Sequence, residues 1–179
     1  RLDGAECKWA GLATHYLPHD ALAEAKERIA HGHDPAQALS ALAVTAPHAR
    51  IEDNAARIAK HFASDRYEDI LTSLEGDASE WAAKELATLH TKSPQTCKVA
   101  LRQLADSLAC PDFAANMVME YRIGSRVLTL PDFAEGVRAV IVDKDNAPRW
   151  NPATPQGVTD ELIDSIFAPL PTNEEWKPL

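Results

Sequence analysis

Apolar residues recur at helical spacing along most of the chain. Leu22, Ala25 and Ile29 lie three or four residues apart, and similar spacing returns in many later segments. An amphipathic α-helix has this period, so the pattern predicts a mainly α-helical protein. The predicted helices cover residues 3–11, 22–30, 34–43, 51–62, 67–76, 77–90, 93–108, 111–121, 132–141 and 158–167.

Polar residues mark where several of these helices begin. Asp34 and Ser93 are each followed by proline, which is typical of an N-cap and the first helical position. Asp77 has Glu80 three residues later, a capping-box pattern. Thr159 or a neighbour is predicted to cap the last helix. Helix starts are therefore predicted along the whole chain.

Three segments depart from the helical pattern. Residues 12–17 form the best strand candidate, ended by Pro18. Since a lone strand cannot satisfy its own backbone, it is predicted to join a sheet supplied by another segment. Residues 124–131 fit either a strand or a continued helix. The tail from Pro169 is predicted to be loose.

Composition excludes several classes of protein. Of 179 residues 45% are hydrophobic, and the net charge is −9, which argues against disorder and against nucleic-acid binding through an overall positive field. No apolar run approaches the roughly 18 residues of a membrane-spanning helix. The odd number of cysteines without a CxxC pair predicts reduced thiols rather than a disulfide framework or a zinc site. These are Cys7, Cys97 and Cys110.

No self-contained catalytic motif is present. The chain lacks a glycine-rich phosphate loop and a GxSxG elbow. His31 and His33 lie close together, but a helix end explains them better than a metal site, and no metal ligand is assigned. Carboxylate pairs are Glu80 with Glu85 and Asp143 with Asp145. Exposed helix faces and turns favour a surface role for both pairs.

Seven basic residues stand out in the acidic second half of the chain. If they converge, they could hold a phosphate-bearing ligand. Salt bridges to the many carboxylates are the favoured alternative. The residues are Lys98, Arg102, Arg122, Arg126, Arg138, Lys144 and Arg149.

Several stretches resemble the 3-hydroxyisobutyryl-CoA hydrolases, a branch of the enoyl-CoA hydratase (crotonase) superfamily. Residues 2–5 with 11–16 are similar to that family's "RLDGA…GLATHYVP", and residues 93–104 to its "SPTSLKVTLRQL" helix. Residues 119–122 match "MEYR", and residues 132–150 match "DFxEGVRAxxxDKDxxPxW". The order and spacing agree over nearly the whole chain, and the last block is specific to this branch.

The resemblance implies a crotonase-like α/β fold whose ββα spiral core lies outside this chain. Residues 1–17 would end that core with a helix and a strand, and residues 18–179 would form the C-terminal helical domain. The implied activity is hydrolysis of 3-hydroxyisobutyryl-CoA in valine breakdown, with coenzyme A as part of the substrate and no separate cofactor. No stretch matches the family's catalytic motifs, so no catalytic residue is assigned and this chain alone is expected to be inactive.

Lys144 aligns with a lysine that in crotonases lies near the CoA adenosine phosphate, so the resemblance implies a CoA contact there; a solvated surface lysine is the alternative. Asp143 and Asp145 differ from the usual crotonase "EKR", which predicts a less favourable field for a phosphate. The implied partners are acyl-CoA, the N-terminal crotonase core of the same protein and further copies in a homo-oligomer, without nucleic acid or membrane.

Other functions stay open at this point. A hydratase or isomerase on the same scaffold is one alternative, and a non-catalytic interaction module is another. The chain begins with Arg1 rather than Met, so we expect its natural start to be elsewhere. The compartment is the cytoplasm in a bacterium or, alternatively, the mitochondrial matrix. A broad apolar face is expected where the missing core would pack.

Overall fold

The structure is a computed structural model that describes residues 2–177. Within this range the regular secondary structure is helical, as predicted, and contains no strand. Residues 1–60 and 61–179 form two compact units. The predicted domain boundary after Leu17 stays a prediction.

Ten α-helices follow one another along the described chain. They are α1 (Gly4–Trp9), α2 (Ala21–Ala30), α3 (Pro35–Leu42), α4 (Ala55–His61), α5 (Tyr67–Glu75), α6 (Glu80–Leu89), α7 (Pro94–Ala109), α8 (Phe113–Val127), α9 (Pro131–Val137) and α10 (Asp160–Phe167). Arg50–Asn54 and Pro155–Gly157 are 3₁₀ turns, and Arg138–Val142 is a π-helical turn.

Small residues form the core of the first unit. A capping box closes the start of α1, because Asp3 accepts from the Glu6 backbone at 2.9 Å and Glu6 accepts from the Asp3 backbone at 2.8 Å. Helix α1 packs against the 3₁₀ turn at Arg50–Asn54, and α2 packs against α3. The buried apolar residues here are Ala5, Ala25, Ala38 and Ala49.

The strand predicted over residues 12–17 is not present. Within the described chain, the Leu12 and Ala13 amides donate to the Cys7 carbonyl of the adjacent α1, and one backbone bond reaches a distant segment, from the Val44 amide to the Tyr16 carbonyl at 2.9 Å. A strand needs a ladder of such bonds to a neighbour, and one bond does not make a ladder. The ββα spiral implied by the resemblance likewise does not occur among residues 2–177.

The second unit has two apolar clusters. One lies between α7, α8 and α10, and the other between α5 and α6 with α7 against it. Leu74 and Ile166 are both only 1% exposed and are among the largest side chains at these centres. The buried members are Val99, Ile123, Val158, Ile163 and Ile166 in the first cluster and Ile70, Leu74 and Ala82 in the second.

Three of the four predicted caps are confirmed. Asp34, Ser93 and Thr159 each accept from a backbone amide three residues later. The prediction for Asp77 was wrong, because α6 begins at Glu80 and Ser79 is its cap. Asp77 instead accepts from the Ser79 backbone at 2.9 Å, one step before the helix. Two cap-forming residues in close succession made the sequence ambiguous here.

Helix continuity also differs from prediction in places. The predicted helix 51–62 is a 3₁₀ turn followed by α4, and the predicted helix 132–141 is α9 followed by the π-helical turn. The ambiguous residues 124–127 continue α8. The tail from Pro169 was predicted to be loose, but within the described residues it is bound to α8. The Glu175 carboxylate accepts two bonds from Arg122 Nε at 2.9 and 3.1 Å.

Large apolar side chains are exposed in two parts of the second unit. Leu108 is 91% exposed at the end of α7, and Phe113 is 78% exposed at the start of α8. Val140, Ile141 and Val142 are also exposed in the π-helical turn. Exposure on this scale agrees with the expectation of uncovered apolar surface. Among the described residues, no helix combines the length and the hydropathy needed to span a bilayer.

Candidate functional site

The turn that carries Lys144 is built around Arg138. The Arg138 guanidinium donates to both Glu135 carboxylate oxygens, at 2.9 Å from Nε and 2.8 Å from Nη2. Its Nη1 donates to Asp143 and to Asp145, at 2.7 Å in each case. One guanidinium therefore holds three carboxylates, two of which flank Lys144 in the sequence.

The backbone of this turn is fixed from both sides. Its chain reverses after the π-helical turn, where the Asn146 amide donates to the Ala139 carbonyl at 3.0 Å. The Ala147 amide donates to Asp145 Oδ1 at 2.9 Å. Lys144 and Asn146 have φ values of 56° and 52°, in the left-handed region. Non-glycine residues stay in that region only where their surroundings determine it, and the bonds around Arg138 do so here.

Lys144 is exposed at the top of this turn. Among residues 2–177 its ammonium group makes no ion pair. The group of Glu135, Arg138, Asp143, Lys144, Asp145 and Arg149 carries three negative and three positive formal charges, which sum to zero. Arg138 pairs with Asp143 and Asp145, so it offsets part of the negative charge beside Lys144.

Hydrogen bonds shift the pKa of three groups in this cluster. The Arg138 bonds, followed by the Arg149 backbone amide at 2.6 Å, lower the pKa of Glu135 to about 2. The Arg138 bond, followed by the Ala147 amide, also lowers the pKa of Asp145. The Glu135 bond, followed by those of Asp145 and Asp143, raises the pKa of Arg138. Glu135, Asp145 and Arg138 are therefore charged in the physiological range.

The chain beyond the turn is anchored to the starts of α7 and α9. The Trp150 indole donates to the Thr91 carbonyl at 3.0 Å. The Asn151 amide donates to Asp132 Oδ1 at 2.7 Å, and the Ser93 hydroxyl donates to Asp132 Oδ2. Asp132 and Ser93 are both 5% exposed. The segment that carries Lys144 therefore follows α9 and is held by the bonds of Trp150 and Asn151 on its other side.

Salt bridges account for four of the seven basic residues singled out in the sequence. Arg138 belongs to the cluster above, and Arg122 pairs with Glu175 at 2.9 Å. The remaining two lie on α7, where Lys98 pairs with Glu68 on α5 and Arg102 pairs with Asp106 and Asp164. The salt-bridge alternative is confirmed for these four residues.

The other three basic residues behave differently. Arg126 donates to backbone carbonyls at the end of α10, including that of Ile166 at 3.2 Å. Such a cation favours the negative end of a helix dipole. Lys144 and Arg149 form no ion pair within the described chain. The seven residues do not converge into one site, and Lys144 and Arg149 are the two of them that are exposed without an ion pair in the described chain.

The remaining sequence candidates have structural surroundings. His31 Nδ1 bonds the Glu27 carbonyl at 2.8 Å at the end of α2, which fits the helix-end interpretation. Asp143 and Asp145 are engaged by Arg138. No group of His, Cys, Asp or Glu side chains in residues 2–177 is arranged as a metal site. Glu80 and Glu85 form no side-chain bond within this part of the chain.

Sequence reasoning missed a buried histidine. His61 has a fully covered side chain, with Nδ1 bonded to Ser73 Oγ at 2.8 Å and Nε2 to Asp77 Oδ2 at 3.0 Å. Its ring centroid lies 5.9 Å from that of Trp81. Because no substrate can reach the ring, we interpret this serine–histidine–aspartate arrangement as structural: it links His61 to α5 and to the segment before α6. No spacing in the sequence marks these three residues as partners.

Several depressions lie within the second unit. One of about 390 Å³ is lined by Lys98, Arg102, Glu68 and Asp164, whose charges already pair with one another. Another, of about 180 Å³, is lined almost wholly by apolar groups between α5 and α7. A third, of about 240 Å³, lies between α7 and α8 and is lined mainly by apolar groups.

Comparison with known proteins gives one family match. A family described as enoyl-CoA hydratase/isomerase matches residues 1–167. The chain is 33% identical to the mitochondrial 3-hydroxyisobutyryl-CoA hydrolase of Gallus gallus, over 97% of this chain and 48% of that protein. It is 34% identical to the one of Xenopus laevis, over 95% and 46%. The chain thus spans about half the length of the curated relatives that it matches.

Solved structures agree at the level of the fold. A carnitinyl-CoA dehydratase from Mycobacterium thermoresistibile superposes with a TM-score of 0.84 at 27% identity, covering 96% of this chain and 49% of that one. An enoyl-CoA hydratase from Rhodobacter sphaeroides gives a TM-score of 0.76 at 29% identity, covering 94% and 48%. The helical architecture is therefore shared with crotonase-type proteins.

Proposed function

Because the chain belongs to the enoyl-CoA hydratase/isomerase family, we propose that it is the C-terminal part of an acyl-CoA thioester hydrolase. The proposed substrate is 3-hydroxyisobutyryl-CoA, which water cleaves to 3-hydroxyisobutyrate and free CoA. The observation that carries this proposal is the 30–34% identity to relatives named as that hydrolase, over at least 95% of the chain.

The catalytic groups are proposed to lie in the other half of the protein. Thioester hydrolysis needs donors aimed at the developing oxyanion and a carboxylate that attacks or activates water. Arg138 occupies the exposed carboxylate pair Asp143 and Asp145, and the His61 arrangement is covered. We therefore assign no catalytic residue to this chain.

The part assigned to this chain is to help hold the CoA portion of the substrate. Lys144 would contact a phosphate of CoA, as a mobile ammonium suits a phosphate ligand. Its exposed position without an ion pair, and the engagement of the carboxylates beside it by Arg138, support this role. Coenzyme A enters as part of the substrate, and no further cofactor is proposed.

We propose two protein partners for this chain. The N-terminal crotonase core of the same protein would cover part of the exposed apolar surface, and further copies would form a homo-oligomer. The relatives named mitochondrial support a place in the mitochondrial matrix, with the bacterial cytoplasm as the alternative.

The proposal is tested with the complete gene product that contains this sequence. Release of free CoA from 3-hydroxyisobutyryl-CoA would be followed with a thiol reagent, and this chain alone would be assayed beside it. We expect thiol release by the complete protein and none by this chain. Absence of thiol release from the complete protein would overturn the hydrolase assignment.

A hydratase is the second candidate, because the two solved structures that superpose are named as a dehydratase and a hydratase. The same preparation would be given crotonyl-CoA, and loss of the conjugated enoyl absorbance would be followed. Hydration without thiol release would favour the hydratase. A complete protein without either activity would favour a non-catalytic interaction module.

The Lys144 contact has its own test. In the complete protein, Lys144→Ala should raise KM for the CoA thioester about 3- to 10-fold, as expected for one exposed charge pair. KM for the acyl-pantetheine thioester, which lacks the nucleotide phosphates, should not change. Lys26→Ala, at an exposed lysine of α2, is the matched control. Equal effects on both thioesters would contradict a phosphate contact.

A further inference from the structure

We propose that Arg138 is the positioning residue for Lys144, and that it prepares the turn for the nucleotide phosphates of an acyl-CoA. This inference rests on the proposed function of the chain. It assigns to Arg138 the task of holding Lys144 outward and free, not of touching the substrate.

Arg138 bonds the residues on both sides of Lys144. Arg138 Nη1 lies 2.7 Å from the carboxylates of both Asp143 and Asp145, so it ties together the two neighbours of Lys144. Its Nη2 also donates to the Ala147 carbonyl at 3.2 Å. A planar guanidinium with five donors can make this set of bonds at once, which an ammonium cannot do.

The same bonds maintain an uncommon backbone. Lys144 at φ 56° and Asn146 at φ 52° are both in the left-handed region. Such residues persist where the surrounding bonds impose them, and they cluster at functional sites. Without Arg138, the two neighbouring carboxylates repel each other and the turn loses the bonds that close it. The backbone at Lys144 would then no longer be held in this one conformation.

Arg138 also keeps the neighbouring carboxylates from pairing with Lys144. Asp143 and Asp145 are adjacent in sequence to Lys144, and both are occupied by Arg138. If Arg138 is removed, the formal charge of the cluster falls from zero to −1, and both carboxylates become free to pair with Lys144. A phosphate would then compete with them for the ammonium group. Arg138 therefore keeps Lys144 available as well as oriented.

Glu135 completes the arrangement by fixing Arg138 itself. Glu135 takes two bonds from the guanidinium and a third from the Arg149 amide at 2.6 Å. Its low pKa, about 2, agrees with a carboxylate that stays ionised in this role. Nε and Nη2 of the guanidinium thus bind Glu135 in α9, and Nη1 binds the two carboxylates of the turn.

The experiment compares two thioesters in the complete gene product. Arg138→Gln, Arg138→Lys, Lys144→Ala and the double variant Arg138→Gln/Lys144→Ala would be assayed with the CoA thioester and with the acyl-pantetheine thioester. Arg28→Gln is the matched control, because Arg28 forms an exposed ion pair with Glu24 and belongs to the first compact unit. Circular dichroism spectra would establish that each variant is folded.

We expect Arg138→Gln to raise KM for the CoA thioester about 3- to 10-fold, the same range as Lys144→Ala, with kcat unchanged. KM for the pantetheine thioester should stay constant. The double variant should be no worse than Lys144→Ala, because both changes remove one contact. Arg138→Lys should recover part of the loss, since it restores the charge without the planar fork.

Two results would overturn the proposal. One is an unchanged ratio of the two KM values in Arg138→Gln, including an equal loss on both thioesters, and the other is a double variant in which the two effects multiply. If Arg138→Gln does not fold, Arg138→Lys answers the same question. If the parent protein releases no CoA, the proposed function fails; if it releases CoA but the KM ratio does not move, only the role of Arg138 fails.

Discussion

Replacing Asp132 should test most directly how the segment after Lys144 is held to the starts of α7 and α9. Asp132 lies in the first turn of α9 and is 5% exposed. Its two oxygens accept from the Ser93 hydroxyl, at the cap of α7, and from the Asn151 amide at 2.7 Å. Asp132→Ala removes both acceptors at once and disconnects the segment after Lys144 from two helix starts.

The magnitude can be worked from the burial of the two donors. The Ser93 hydroxyl is buried, so leaving it unpaired should cost about 1–3 kcal/mol. Asn151 is exposed and its amide can bond water, so the second loss should cost about 0.5–1.5 kcal/mol. The free energy of unfolding should therefore fall by about 2–4 kcal/mol in Asp132→Ala.

Asp132→Asn is the matched control. The amide oxygen can still accept from the Asn151 backbone. The amide nitrogen can donate to the second lone pair of Ser93 Oγ, so this oxygen stays bonded although its hydroxyl hydrogen loses its acceptor. The cost of Asp132→Asn should be about 1–2 kcal/mol, roughly 1–2 kcal/mol less than that of Asp132→Ala.

Urea unfolding of the chain, followed by far-UV circular dichroism, measures both variants. If the two compact units unfold separately, the change should fall on the transition of residues 61–179, which contain the whole network. Unfolding free energies of Asp132→Ala within about 0.5 kcal/mol of the parent would refute the reasoning. Equal losses in the alanine and asparagine variants would refute it as well.

Two further predictions concern pH and the core. The pKa of Glu135, lowered from its ordinary 4.5 to about 2, makes its ion pair stabilising above pH 4.5, and this contribution should be lost as pH falls towards 2. The difference in melting temperature between the parent and Glu135→Gln should therefore be constant at neutral pH and shrink below about pH 4.5; a difference that persists to pH 2 would contradict it. Leu74→Ala should cost about 2–5 kcal/mol in urea unfolding, whereas Leu108→Ala, at a 91% exposed leucine, should change it by less than about 0.5 kcal/mol. Similar costs at the two positions would mean that Leu108 is covered in solution.

Most of the helices could be predicted because helix formation is local. The apolar spacing of residues such as Ile70 and Leu74 reflects a period of 3.6 residues, and caps such as Ser93 act on an amide three residues away. Predictions were less accurate where two local signals compete. At the start of α6, Asp77 and Ser79 both suit a cap, and the choice between them depends on the partner that Asp77 finds in His61.

The strand near the start shows a different limit. A β-strand is a relation between two segments, so residues 12–17 cannot become one without a neighbour that supplies the ladder. Within the described chain, Val44 supplies a single bond. The pattern of residues favoured an extended segment, but pairing depends on chain that is distant in sequence.

The candidate site divides in the same way. The sequence marked Lys144 through its resemblance to a family, and it marked the seven basic residues as either phosphate ligands or members of salt bridges. Local spacing could not decide between these alternatives, because an ion pair such as Arg122 with Glu175 joins residues 53 positions apart. Nor could it reveal that Arg138 gathers three carboxylates and leaves Lys144 free.

The sequence by itself determined the helical class, most helix starts and the family resemblance, because these depend on residue type and on neighbours within about four positions. The tertiary structure alone decided which cations are paired, which histidine is buried and how the turn at Lys144 is held. Those properties depend on distances between side chains that only folding brings together, and on the burial that makes an unpaired polar group costly.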